Sequence, residues 1–199
     1  MLINKFGNLD LGKERIKPHE SPCDDKFQKN RIEKILKYPK STVVIGGILD
    51  YYLDNGSFKD VKEGMSIERG VTDNIKFLLK NNYKVIVLLP YPLPYVNVSQ
   101  FILKKRGEAV ASNIIELRAD TDKNLIYQIK KTNYLKTVSK SHKILTDIKH
   151  KNYYPINIEK LFCDEASCYF NDSEELYISD RYHPSYFMSQ EIAKEIYKT

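Results

Sequence analysis

The sequence predicts an α/β fold of three layers, with helices on both faces of a parallel sheet. Two short runs, "STVVIGG" (41–47) and "KVIVLLP" (84–90), are continuously apolar and β-branched, as strands buried on both faces are. Helical patterns lie around and between them, and this βαβ alternation makes the two strands parallel neighbours or near neighbours by default. With 199 residues, no internal repeat and no linker, the chain is expected to form one domain over residues 1–199.

Taken in order, the first helix is expected over 24–39, where Phe27, Ile32, Ile35 and Leu36 fall near one face and Pro39 stops it. After the strand at 41–47, the segment 65–83 carries a second stripe of Val71, Ile75, Leu78 and Leu79. The strand at 84–90 runs into prolines at 90, 92 and 94, which exclude both a continued helix and a central strand. Residues 122–150 read as one helix or two, with Leu125, Ile129, Leu135, Val138, Ile144, Leu145 and Ile148 as its apolar positions. A third parallel strand is expected within 153–163, and a last helix from about Ser185, buried through Phe187, Ile192, Ala193 and Ile196.

Composition narrows the function. Hydrophobic residues at 42 % and charged residues at 29 % are globular values. The net charge of +6 is spread along amphipathic helices and not gathered into a block, so a solvated basic surface is favoured over a nucleic-acid partner. No run reaches the length of a membrane span and the amino terminus has no signal-peptide core, so no membrane insertion of this chain is expected. "IGG" (45–47) follows a strand, but no phosphate-binding glycine pattern continues it. Cys163 and Cys168 lack a second spaced pair, and His142 and His150 sit on a Lys-rich stretch and are expected to face solvent. Neither a cofactor nor a metal is expected.

In open α/β sheets reactive groups collect at the carboxyl ends of strands. Four loops qualify: "GGILDYYLDNG", "PYPLPYVNV", "CDEASC" and "SDRYHPS". In the last, Asp180 and His183 stand with two residues between them, a separation that a turn can close. An imidazole so placed takes a proton from a hydroxyl, while the carboxylate on its other nitrogen fixes the tautomer. The competing reading has Asp180 capping the turn and His183 packed on the surface. Tyr51, Tyr52, Tyr91, Tyr95 and Tyr182 lie in these loops, where aromatic faces suit sugar rings; with 15 tyrosines in the chain, packing explains them equally well.

The segment "LFCDEASCYFNDSEELYISDRYHPSYFMSQEIAKEI" resembles the closing segment of SGNH hydrolase-like domains, in particular those fused to family-three membrane acyltransferases that O-acetylate surface polysaccharides. "TVVIGGILDYYLDNG", "KVIVLLPYPLPYVNV" and "SPCDD" resemble earlier blocks of the same family, from about residue 20 onward. The resemblance implies a flavodoxin-like parallel sheet, Asp180 as orienting acid, His183 as general base and then acid, and a Cys163–Cys168 disulfide in an extracytoplasmic setting. It further implies a polysaccharide substrate and a membrane acyltransferase domain as partner. The family's serine sits in a Gly-Asp-Ser block after the first strand, and this chain has none. Its beginning resembles the portion of the family that comes after that block, so the first strand, serine turn and first helix are expected upstream of Met1. Ser21 and Ser185 are poor substitutes, since no strand delivers the first and a helix start occupies the second. Where relatives carry Arg-Trp, this chain has Ile48-Leu49, which leaves the main chain of Gly46 and Gly47 as oxyanion donors. The expected role is thus an SGNH-like domain of a surface-polysaccharide O-acyltransferase or acetylesterase, inactive alone. The alternative is a non-catalytic glycan- or partner-binding domain.

Overall fold

In the computed structural model, which describes residues 2–4, 13–15, 25–47, 49, 58–60, 67–104 and 125–199, the two apolar runs pair in parallel. They belong to a four-stranded sheet in the spatial order β1 (Leu2–Asn4), β3 (Thr42–Gly46), β5 (Lys84–Leu88) and β7 (Tyr153–Ile156). A separate antiparallel pair joins β2 (Lys13–Arg15) to β4 (Phe58–Asp60), and another joins β6 (Gln128–Lys130) to β8 (Ser167–Tyr169). Helices include α1 (Asp25–Leu36), α2 (Ile67–Lys80), α3 (Lys131–Thr146) and α4 (Tyr186–Tyr197), and residues 98–104 are helical as well. This is an α/β fold with a parallel sheet, consistent with three layers. The chain forms two compact units, Met1–Pro90 with Val138–Asn157, and Tyr91–Thr137 with Ile158–Thr199.

The core of the first unit follows from the periodicities. Val85 and Val87 of β5 join Val43 and Ile45 of β3 in one apolar cluster. Ile86 and Leu88, pointing the other way along the same strand, are buried as well. Onto the cluster α2 lays Val71, Ile75, Leu78 and Leu79, each at most 4 % exposed. Burying side chains of this kind stabilises by roughly 1.5–3 kcal/mol apiece, so Ile75→Ala would cost about 2–5 kcal/mol. The end of α2 is set by Asn82, whose φ of 62° is left-handed. There Tyr83 N–H donates to the Leu78 carbonyl and Asn82 N–H to the Leu79 carbonyl, a Schellman closure. The chain then tucks Tyr83 inside, its hydroxyl donating to the Ile35 carbonyl at 2.9 Å.

Three expectations need correction. From sequence, no strand is read before residue 41. The structure pairs Leu2–Asn4 with β3, Leu2 beside Val44 and Asn4 beside Gly46. Three residues at a sheet edge are too few to show a periodicity. Likewise, a helix is expected from residue 122, yet Gln128–Lys130 form β6 and the helix begins at Lys131. Ile129, read as a helical apolar position, pairs with Cys168 instead, and Leu135 is 42 % exposed. The partner strand lies far along the chain, so local pattern gives no notice of it. His142, expected in solvent, is part-buried, with Nε2 at 3.4 Å from the Pro90 carbonyl.

The second unit is held by short antiparallel contacts and aromatic rings. Phe170 N–H donates to the Tyr127 carbonyl and Tyr169 N–H to the Phe162 carbonyl, which extends the β6–β8 pairing on both sides. Cys163 and Cys168 face each other in a bridge and are joined by a disulfide. Asn171, 4 % exposed, accepts from Tyr127 N–H and donates to the Leu125 carbonyl, both at 2.8 Å. Beneath the last loop Tyr91 stacks on Phe162 at 5.4 Å, Phe162 meets Tyr177 edge-on, and Tyr177 stacks on Phe187.

Candidate active site

The site lies in the second unit, in the reversal between Ile178 and Ser185. Ile178 bridges Pro184, Ser179 N–H donates to the His183 carbonyl at 2.8 Å, and Ser185 N–H donates to the Tyr177 carbonyl at 2.9 Å. Residues 179–183 therefore form a closed loop. Just after it Ser185 starts α4, its hydroxyl accepting from Met188 N–H at 3.1 Å. That cap uses the Ser185 hydroxyl as an acceptor.

Inside the loop Asp180 makes three short contacts. Oδ1 accepts from the N–H of Tyr182 at 2.6 Å and of His183 at 2.9 Å, while Oδ2 lies 2.7 Å from His183 Nδ1. Partial burial disfavours charge on Asp180, but the Tyr182 N–H, the His183 ring and the His183 N–H outweigh it and hold the carboxyl at about 2. The carboxylate is an acceptor, so in the neutral ring the proton sits on Nδ1 and Nε2 carries the lone pair. Nε2 has no hydrogen-bond partner among the described residues, and the His183 side chain is 59 % exposed.

The loop repeats a device used twice before it. Asp164, Asp172 and Asp180 stand eight residues apart. Asp164 Oδ1 accepts from Ala166 and Ser167 N–H, and Oδ2 from the Tyr169 hydroxyl at 2.6 Å. Asp172 Oδ1 accepts from Glu174 and Glu175 N–H, and Oδ2 from the Tyr177 hydroxyl at 3.1 Å. Each carboxylate nucleates a turn with one oxygen and has the other free for a side chain. At Asp180 that side chain is an imidazole from within the turn. Turn-capping and pairing with His183, posed as rivals from sequence, are carried by different oxygens of one group.

The remaining candidate residues are dispersed. Tyr91 is half-buried, its hydroxyl donating to the Tyr182 carbonyl at 2.7 Å; burial, then the charge of Asp180, push its phenol well above the ordinary value. Tyr182 itself lies under the Arg181 guanidinium, 5.7 Å from the ring centre. Tyr95 is 60 % exposed. Tyr51 and Tyr52 lie outside the described residues, as do Ser21 and Ile48. Gly46 and Gly47 close β3 in the first unit, and a Cβ on Gly46 would stand in tight contact with Leu88, 3.1 Å from its Cδ1. Leu49 is 1 % exposed in the apolar core. Among the described residues no cluster of His, Cys, Asp and Glu is arranged to hold a metal ion. Unforeseen from sequence were Phe162 and Tyr177 under the loop, and Ser99, whose hydroxyl lies 3.1 Å from the Ser179 carbonyl and 2.8 Å from Asn97 Oδ1.

The carboxylate-paired imidazole stands just ahead of α4. Residues 6–198 match the family model described as SGNH domain (fused to AT3 domains), and the chain belongs to that family, an SGNH domain associated with membrane acyltransferases. No curated protein and no solved structure matches the chain significantly. No helix among the described residues is long and apolar enough to cross a membrane.

Proposed function

We propose that this domain supplies the acid–base half of an acyl-transfer site that acts on polysaccharide hydroxyls outside the cytoplasm, alongside a membrane acyltransferase domain. The observation that carries the reading is the 2.7 Å contact between Asp180 Oδ2 and His183 Nδ1, with Nε2 left open to a reactant. In the proposed step Nε2 takes the proton of a nucleophilic hydroxyl as that oxygen attacks an acyl carbonyl. Asp180 stabilises the imidazolium, which returns the proton to the departing alkoxide. A second hydroxyl, from the sugar acceptor or water, is then deprotonated in the same way and releases the acyl group. The chain contains no Gly-Asp-Ser, so the hydroxyl for the first attack comes from outside it. Tyr95 and Tyr182, in the same unit as the pair, offer rings to the sugar in this scheme.

The missing Gly-Asp-Ser also favours a second reading, a domain that binds glycan without turnover. An assay with 4-nitrophenyl acetate separates the two. The comparison is between this chain and one extended at its amino terminus by a strand bearing Gly-Asp-Ser. The acyl-transfer reading expects no turnover by the chain alone, turnover by the extended protein, and its loss in His183→Ala and Asp180→Ala. An extended, folded protein that is inert toward the ester but retains oligosaccharide in a binding assay supports the binding domain instead.

A further inference from the structure

The loop that presents Asp180 and His183 is gripped from below by one segment. Its backbone is closed on itself, but two of its carbonyls face outward and need donors. The Tyr182 carbonyl receives the Tyr91 hydroxyl at 2.7 Å, and the Ser179 carbonyl lies 3.1 Å from the Ser99 hydroxyl. Both hydroxyls belong to the stretch 91–99, stiffened by Pro92 and Pro94, and the single proton of Ser99 is shared between the Ser179 carbonyl and Asn97 Oδ1 at 2.8 Å. Tyr91 is in turn fixed by its ring, nearly parallel to Phe162 at an interplanar angle of 12°, and Phe162 is 2 % exposed. Phe162 adjoins Cys163 of the disulfide, and its carbonyl accepts from the Tyr169 N–H on the far side of that loop.

The grip of the Tyr91 hydroxyl bears directly on the pair. The carbonyl it holds belongs to Tyr182, and the N–H of Tyr182 donates to Asp180 Oδ1. The next peptide unit carries the His183 N–H that donates to the same oxygen. The Tyr182 carbonyl and the His183 N–H share one peptide unit, so holding that carbonyl fixes the His183 N–H contact directly and the Tyr182 N–H contact through the adjoining peptide. The remaining oxygen then meets Nδ1 in one orientation. From sequence Tyr91 is a sugar-stacking candidate, but one face of its ring lies on Phe162 and its hydroxyl is committed to the loop.

We propose that Tyr91 is a positioning residue, acting through the Tyr182 carbonyl to hold Asp180 against His183 in a single tautomer-selecting geometry. This rests on the acyl-transfer reading for its purpose, but it is tested without substrate. On the labelled full chain at neutral pH, nitrogen NMR of the His183 ring reports which nitrogen bears the proton, and amide exchange reports the loop. Tyr91→Phe keeps the ring and removes only the hydroxyl. The expected result is a mixture of imidazole tautomers in place of the Nδ1–H form, with Tyr182 and His183 amides exchanging about tenfold faster or more. Core amides such as Val87 should keep their protection, which a general loss of stability would not allow. Tyr91→Leu, lacking the stacked ring as well, should be worse. An unchanged tautomer and unchanged exchange in folded Tyr91→Phe would overturn the proposal.

If Tyr91→Phe does not fold, the wild-type protein still decides the matter. A slowly exchanging Tyr91 hydroxyl proton with a nuclear Overhauser contact to the Tyr182–His183 peptide supports the brace, and a freely exchanging one refutes it. Neither readout depends on turnover. An inert ester assay with an intact Nδ1–H signature therefore counts against the acyl-transfer reading alone.

Discussion

Asp180 holds His183 at two places at once: Oδ2 meets the ring Nδ1 at 2.7 Å while Oδ1 accepts the main-chain N–H of the same residue at 2.9 Å. A single carboxylate therefore sets both where the imidazole starts from and which way it points. Asp180→Asn separates these two duties. The amide oxygen can still accept the two main-chain N–H groups, so the turn and the melting temperature should change little. The amide nitrogen then faces Nδ1 as a donor, which selects the wrong tautomer. In a protein provided with the nucleophile, acyl transfer should fall roughly 10³–10⁴-fold, measured by ester turnover.

The low titration of Asp180 makes stability depend on pH. Its folded value of about 2 lies below the ordinary 3.8. The stabilisation is therefore complete above the ordinary value and is lost as pH falls through 3.8 toward 2. With 43 % of the side chain exposed, solvent screening reduces the contribution to about 1 kcal/mol. Asp164 is lowered by the Tyr169 hydroxyl and the Ser167 and Ala166 N–H groups. Asp172 is lowered too, its turn N–H groups and the Tyr177 hydroxyl overcoming partial burial. All three act in the same sense. Urea midpoints should drop between about pH 5 and pH 2.5, and Asp180→Asn should flatten part of that drop.

Reduction of Cys163–Cys168 should cost about 2 kcal/mol, the chain-entropy value for so short a loop. The turn inside it has its own support, since Asp164 binds the Ala166 and Ser167 N–H groups and the Tyr169 hydroxyl. Unfolding in urea with and without reductant measures the cost. Circular dichroism of the reduced protein at low urea should show the antiparallel pairing retained.

Asn171→Ala should be more damaging than its size suggests. It removes the acceptor of Tyr127 N–H and the donor to the Leu125 carbonyl, at a position 4 % exposed. A buried main-chain group left without a partner costs about 1–3 kcal/mol. Asn171→Asp keeps an acceptor but loses the donor and adds charge, so it should not rescue stability in a urea titration.

Legibility in the chain tracked the range of the interaction. The stripe of Val71, Ile75, Leu78 and Leu79 and the runs that became β3 and β5 are periodic within one turn or one strand, and the structure reproduces them. The Ser185 cap was visible for the same reason. The β6–β8 pairing, Asn171 and the Tyr91–Phe162 stack join residues distant in sequence, where no window carries the signal. One signal was present and unread: aspartates eight apart at 164, 172 and 180, the first two each followed five residues later by tyrosine. That spacing marks the Asp180 turn as the variant in which histidine replaces the phenol.

The hydrogen bond from Tyr91 to Tyr182 spans 91 positions of the chain. Contacts of such range require closure of a long loop before they return any stabilisation, so they tend to form after the rate-limiting barrier. Removing the Tyr91 hydroxyl should then leave the refolding arm of a chevron plot nearly where it was and raise the unfolding arm. Stopped-flow mixing of Tyr91→Phe would show the bond acting as a late latch, one that governs how long the native state persists and has little say in how quickly it is reached.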